Sequence, residues 1–249
     1  MSVSKWLGAT LGWSFGGPIG AILGFALGSV VDGLSNGGIK VNTQGPFSSP
    51  SQSRTRSGDF EVSLLVLAAI VIKADGRSDQ RELDYVRAQF VGMYGKDRAN
   101  QAFKLFKNIS QQENIPVRDV CLQIKQMMDH PSRLQLLHFL FGIAKADGNV
   151  SKSEVDIIYT ISNYLGIRAI DFESIKAMFY SSSDNAYKIL EIDKSATNDE
   201  IKKAYRNMAK KYHPDKVIHL GPEHQKGAEE KFRQVKDAYD QLQKERGFN

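Results

Sequence analysis

A single cysteine, Cys121, in 249 residues excludes an intrachain disulfide and any cysteine-rich zinc module, and suits a reducing compartment. The five histidines show no Ser/His/Asp or zinc-type spacing, and no glycine-rich phosphate-binding loop occurs. The sequence therefore carries no recognisable catalytic constellation and reads as a non-enzyme. Concentrated charge of one sign is missing too. The net +5 divides into +2 over residues 1–59 (4 basic, 2 acidic), +1 over 60–183 (15 and 14) and +2 over 184–249 (14 and 12). No block is basic enough to call for nucleic acid as a partner.

Charge is absent altogether from Trp6 to Val31, a stretch whose helix would be about 39 Å long at roughly 1.5 Å per residue, enough to cross a bilayer. Within it Gly8, Gly12, Gly16, Gly20, Gly24 and Gly28 recur at intervals of four. On a helix they form a smooth ridge along which a second helix can approach closely, as in Gly-x-x-x-Gly pairs. In water, glycine at every fourth position gives a poor helix. Residues 1–34 are thus expected to be a transmembrane helix that anchors and pairs into a homodimer. Pro18 should kink it. Residues 35–59, rich in Ser, Gly, Gln and Asn, read as a flexible linker. Lys40, Arg54 and Arg56 outnumber Lys5 across the span, which places the C-terminal bulk on the cytoplasmic side.

Residues 60–180 contain an internal repeat. Lys73-Ala74-Asp75-Gly76 recurs as Lys145-Ala146-Asp147-Gly148, each after an apolar helical run, Val62–Ile72 and Leu134–Ile143. A second apolar helix follows each turn, Leu83/Val86/Phe90 answering Val155/Ile158/Ile161. With further helical stretches near 97–109 and 116–128, an all-α bundle of roughly seven helices is expected. Gly76 and Gly148 fit helix ends, and Asp79/Glu82 and Ser151/Glu154 fit capping boxes. The second reading has Asp75, Asp79, Glu82, Asp147 and Glu154 converge on a divalent cation. No EF-hand loop is present.

Residues 184–249 hold the sharpest signal. Ile201, Ala204/Tyr205, Met208 and Tyr212 recur at helical spacing, and the opposite face carries Lys202, Lys203, Arg206, Lys210 and Lys211. His213-Pro214-Asp215 follows, the proline stopping the helix. A later helix, expected from Glu230, presents Phe232, Val235, Ala238/Tyr239 and Leu242 as the complementary stripe, beyond a loop at 217–227. His-Pro-Asp alone would mean little; His130-Pro131-Ser132 shows how easily two thirds of it arises.

In this two-helix context the motif resembles the J-domain of DnaJ-type co-chaperones, with Tyr187 and Leu190 at the family's Tyr-x-x-Leu. The family often has Asp-Tyr-Tyr there and Gly after the Leu, where this chain has Asn185-Ala186-Tyr187 and Glu191. The resemblance implies binding to a DnaK-type ATP-dependent chaperone and acceleration of its ATP hydrolysis. His213, Pro214 and Asp215 would carry the signal, while Lys202, Lys203, Arg206, Lys210 and Lys211 would steer association. Tyr187, Leu190, Tyr205, Phe232, Ala238, Tyr239 and Leu242 would form the small core. The repeat resembles the TerB-like domain, in which acidic turn residues have been considered metal ligands. The whole layout is similar to the DjlA family of membrane-anchored co-chaperones. It implies a single-pass protein of the bacterial inner membrane, its short N-terminus outside, with no cofactor required. The alternative is a metal-binding or stress-sensing TerB-like protein with an accessory J-domain.

Overall fold

The computed structural model describes residues 16–26, 57–74, 76, 80–112, 114–148, 150–180 and 184–248, and among them every regular element is helical. The first helix, α1, spans residues 16–26. Then come α2 (Ser57–Ile72), α3 (Gln80–Tyr94), α4 (Lys96–Ser110), α5 (Val117–Met127), α6 (His130–Ala144), α7 (Lys152–Tyr164) and α8 (Ala169–Ala177). The C-terminal unit has a short α9 (Asn185–Ile189), α10 (Asn198–Lys211), a 3-10 helix (Pro214–Leu220) and α11 (Pro222–Arg246).

The two apolar runs of the repeat become the centre of the bundle. Every residue from Leu64 to Ile72 in α2, and from Leu134 to Ala144 in α6, is buried. A helix apolar on all sides can satisfy itself only by being surrounded. The two pack on each other; α4, α5 and α7 add to α2, while α7 and α8 cover α6. Gly148 ends the second turn with φ +96°, and Gly76 the first with φ +74°, a conformation that favours glycine. Each is followed by an amphipathic helix: α3 buries Glu82, Val86 and Phe90, and α7 buries Glu154, Ile158 and Ile161.

The C-terminal unit departs from expectation in one respect. No extended loop separates the His-Pro-Asp motif from the last helix. Pro214 opens the 3-10 helix, Gly221 (φ +107°) turns the chain, and Pro222 opens α11 eight residues before Glu230. Proline at the first helical position costs nothing, because that N–H has no intrahelical partner. The sequence pattern misses these turns because Glu229 and Glu230 obscure the apolar stripe that His224 and Ala228 extend.

The buried residues of α9, α10 and α11 are continuous with those of the bundle. The α1 turns also lie against it. Ile19, Ile22 and Ala26 are buried, and Gln123 in α5 donates to the Gly16 carbonyl (2.6 Å) and accepts from the Ile19 N–H (2.9 Å). Gln112 donates to the Ile22 carbonyl at 2.9 Å. Gly16, Gly20 and Gly24 fall within α1, while Gly8, Gly12 and Gly28 lie outside the described residues. No described helix is long and apolar enough to cross a membrane.

Candidate functional site

Helix α10 starts at a capping box: Thr197 Oγ1 accepts from the Glu200 N–H (3.3 Å), and Glu200 Oε2 accepts from the Thr197 N–H (2.7 Å). Thr-x-x-Glu is legible in sequence. Ile201, Ala204 and Met208 are buried against α11, leaving Lys203, Arg206 and Lys210 exposed and Lys202 half-exposed, with its ammonium 5.4 Å from the centre of the Phe248 ring. Acidic residues in the first turn and Lys210 and Lys211 in the last complement the helix dipole. Tyr187, Leu190, Ala238 and Leu242 are all buried. Tyr205 and Tyr239 are half-buried and stack at 4.3 Å between centroids. Tyr187 is fixed from outside, donating to Glu245 (2.8 Å) and accepting from Arg246 (3.0 Å).

At the end of α10 the motif turns outward. His213 Nδ1 accepts from the Asp215 N–H at 3.3 Å, and the imidazole meets Phe232 edge to face at 5.8 Å. Phe232 is therefore a half-buried prop for the loop as much as a core residue. The Asp215 side chain is 77% exposed, and its carboxylate stands free for an incoming cation apart from a 3.5 Å approach to His213. An exposed carboxylate on a proline-fixed turn offers a docking contact. A general base would need a pocket and a substrate-facing partner.

Lys211 is placed differently from its four basic neighbours. Only 18% exposed, it lies between the Asp171 carboxylate of α8 and Glu191, hydrogen-bonded to both. It belongs to the junction with the bundle rather than to the open basic face. Glu191 itself is the one described non-glycine residue with positive φ (59°). It stands where the J-domain family often has glycine, and its ion pair accompanies the strain of the left-handed backbone. Burial raises the Asp171 carboxyl, but hydrogen bonds from Arg168 and Lys211 outweigh that and hold it down at about 2. Burial pushes Glu191 upward, against its bond to Lys211.

Sequence reasoning missed the remainder of this junction, because it joins residues remote in the chain. His219 stands 3.3 Å from Asp129 and 3.3 Å from the Ser132 hydroxyl at the start of α6. His224 is buried between Phe60 and Tyr94, with its Nε2 3.0 Å from the Tyr94 hydroxyl. His138 pairs with Gln234 at 3.2 Å, and burial pushes its imidazole down to about 3. Lys231 is buried beside the Tyr212 ring, and burial, reinforced by Lys211, lowers its ammonium to about 7.

Of the acidic residues that could converge on a cation, Glu154 and Asp147 have protein partners. Glu154 is used in a cap, its Oε2 accepting from the Ser151 N–H (2.7 Å) while its own N–H donates to Ser151 Oγ (3.2 Å). Asp147 faces Arg81, which donates to its carbonyl at 3.0 Å. Glu82 is buried, and Asp75 and Asp79 lie outside the described residues. Among the described residues no three His, Cys, Asp or Glu side chains gather where a metal could sit.

A basic helix, an exposed His-Pro-Asp turn and a supporting helix define a J-domain protein, here joined to a helical bundle. The comparisons agree in each part. Family models match for the DnaJ domain (residues 185–247), tellurite resistance protein TerB (61–177) and the co-chaperone DjlA transmembrane domain (1–53). The co-chaperone protein DjlA of Coxiella burnetii is 30% identical over 99% of this chain and 98% of its own length. Those of Haemophilus influenzae (25%, 99% of each chain) and Vibrio vulnificus (31%, 86% and 87%) are similar along their lengths. No solved structure matches. The chain belongs to the DjlA co-chaperone family, with a J-domain that implies a DnaK-type partner and an N-terminal segment that implies membrane association.

Proposed function

We propose that this chain stimulates ATP hydrolysis by a DnaK-type chaperone, with His213-Pro214-Asp215 delivering the signal and Lys202, Lys203, Arg206 and Lys210 guiding the encounter. The observation that carries this reading is the Asp215 carboxylate, 77% exposed beside Pro214 and a His213 ring that rests on Phe232. Exposed cations meeting an acidic chaperone surface raise the association rate more than the final affinity. Asp215 would then pair with a chaperone cation that restrains hydrolysis. The test is steady-state ATPase of a DnaK-type chaperone with the full chain and with Asp215→Asn. Stimulation by the wild type and none by the variant, at unchanged helical content, is expected. Equal stimulation by both would remove the mechanism.

The anchor is assigned to residues 1–34, the tether to 35–59, the TerB-like bundle to 60–180 and the J-domain to 184–249. The family match over residues 1–53 supports the anchor. In a bilayer the α1 turns leave α5, exchanging burial of Ile19 and Ile22 against protein for burial in lipid. The N-terminus is placed outside the inner membrane and the remainder in the cytoplasm, with the glycine ridge pairing two copies. Crosslinking in membranes reads this pairing. Gly16→Leu with Gly20→Leu should abolish the dimer and leave membrane retention intact, since leucine raises hydrophobicity. An unchanged dimer fraction would reduce the ridge to an anchor, and wild-type protein in the soluble fraction would remove the span.

A further inference from the structure

The two ends of the His-Pro-Asp loop are both fastened to one corner of the central bundle. On the entry side Lys211 is clamped to Asp171 of α8, whose carboxylate is fully buried and also lies 3.6 Å from His130 Nε2 at the start of α6. On the exit side His219, at the far end of the 3-10 helix, stands 3.3 Å from Asp129, the N-cap of α6, and 3.3 Å from Ser132 in its first turn. The 3-10 helix packs on α6 and α2, burying Val217 and Leu220. The following turns of α11 seat His224 against Phe60 and Tyr94. At Gly227 an added Cβ would come within 2.5 Å of the Gln135 amide, so the Gln135 side chain of α6 rests on α11 there. Seven residues, 212–218, thus span between two attachments that converge on Asp129, His130 and Ser132.

Such an arrangement has two opposite functional readings, restraint or support, and exposure separates them. A bundle that blocked the loop would cover its signalling groups. Here His213 is 50% exposed and Asp215 77% exposed, and Lys203, Arg206 and Lys210 face solvent. The bundle touches the flanks and the inward side chains Val217 and Leu220, and leaves His213 and Asp215 open. The hairpin by itself offers few residues to hold the turn: the left-handed Glu191 and the buried Lys231 are both costs inside it. The charge of Lys211 is shared between Glu191 of the hairpin and Asp171, a residue of the bundle.

We infer that the central bundle is a positioning scaffold for the His-Pro-Asp loop, with Asp171 and Asp129 acting through Lys211 and His219 to set the direction in which Asp215 is presented. This gives the TerB-like unit a task in the co-chaperone reaction itself. It rests on the proposed stimulation of a DnaK-type ATPase. The partner surface is the outward side of α10 and the loop, and the bundle never needs to touch the chaperone.

The experiment uses the full chain in three forms besides wild type. Asp171→Asn removes the bundle's charge on Lys211 and leaves Glu191, in the hairpin, as its remaining carboxylate. Asp171→Asn with Lys211→Met removes both sides of the Lys211–Asp171 pair, so that no lysine is stranded and Glu191 alone loses its partner. Asp129→Asn keeps an amide-accepting N-cap for α6, since asparagine caps as well as aspartate, and removes only the charge facing His219. Each is titrated into a DnaK-type chaperone, and maximal ATPase stimulation is separated from the half-saturating concentration. Maximal stimulation should fall at least about fivefold, the lower end of ordinary coupling between sites. Half-saturation should shift less than about twofold, because the basic face that governs encounter is untouched. The double variant should be no worse than Asp171→Asn alone, as members of one network are non-additive. Hydrogen exchange of the 213–220 amides, which needs no chaperone, should accelerate in each variant while α2 and α6 stay protected.

Unchanged maximal stimulation in Asp129→Asn and Asp171→Asn, or a loss confined to half-saturation, would overturn the scaffold. So would increased stimulation, which would make the bundle a restraint. A wild-type chain that exchanges as expected and stimulates nothing would instead overturn the function beneath it. Should Asp171→Asn unfold by circular dichroism, the surface substitution Asp129→Asn decides alone.

Discussion

In the central bundle α2 and α6 are buried on every side, whereas α10 and α11 each bury one stripe and leave the other in water. The difference separates what carries stability from what carries recognition. A helix surrounded by others contributes a thick core that resists local opening. A hairpin of two amphipathic helices has a thin core, but it keeps a whole charged face available to a partner. The J-domain here makes its long-range polar contacts where it leans on the bundle, at Lys211, His219 and His224, and is most open where it faces away, at Lys203, Arg206 and Asp215.

The strongest way to break this comparison is to empty the bundle's centre. Phe141 is fully buried against Phe172 and Phe179. Phe141→Ala should cost about 3–5 kcal/mol through lost transfer energy and the cavity left behind, read from the midpoint of chemical denaturation. The J-domain should loosen with it, because its 3-10 helix rests on α6. Leu242→Ala, at the far end of α11, should melt the hairpin while the bundle keeps its own transition.

The seam between the units is sharpened by Lys231. Its ammonium sits at about 7 instead of 10.5 because burial disfavours the charge. Between those values the unfolded chain holds more protons than the folded one, so this residue makes stability rise with pH across that window and adds no slope below it. Lys231→Met should flatten that rise and stabilise the protein near neutral pH by on the order of 1–3 kcal/mol. Equal pH slopes for wild type and variant would show that Lys231 is solvated.

A smaller effect divides capping from metal binding in the repeat. Ser151→Ala should cost about 1 kcal/mol by stranding the Glu154 amide, and magnesium, calcium or a chelator should leave the melting midpoint where it is. A midpoint that rises with either cation would return Glu154 and Asp147 to the role of ligands.

How much of this was legible in the residues depends on the range of the contacts involved. Helix spacing and the capping box were readable because they are set within four residues, as Ser151 and Glu154 show, and the repeat because Lys73-Ala74-Asp75-Gly76 recurs letter for letter. The basic face of α10 was readable for the same reason. The 3-10 helix and the early start of α11 were not, since a run containing Glu229, Glu230 and Gly227 has no clear period. The junction left less trace. Asp171 reads as an ordinary first-turn acid of α8, and His130-Pro131-Ser132 as a chance likeness to the signature. Yet that tripeptide opens α6 at the corner where the true signature loop is fastened. Lys211, in register with the basic face, turns out to be spent on the bundle. Nothing in local sequence distinguishes it from Lys210.

The most direct measurement is single-turnover ATP hydrolysis by a DnaK-type chaperone, followed across concentrations of wild type, Asp215→Asn and Lys202→Glu with Lys203→Glu, at low and near-physiological salt. Exposed charges are screened over about 8–10 Å under the latter conditions. The account predicts that Asp215→Asn loses the maximal rate at every concentration, whereas the charge reversal keeps that maximum and needs far more protein to reach it. Salt should shift the wild type in the same direction as the reversal. A maximal rate preserved in Asp215→Asn, or a concentration dependence indifferent to salt and to Lys202 and Lys203, would contradict it.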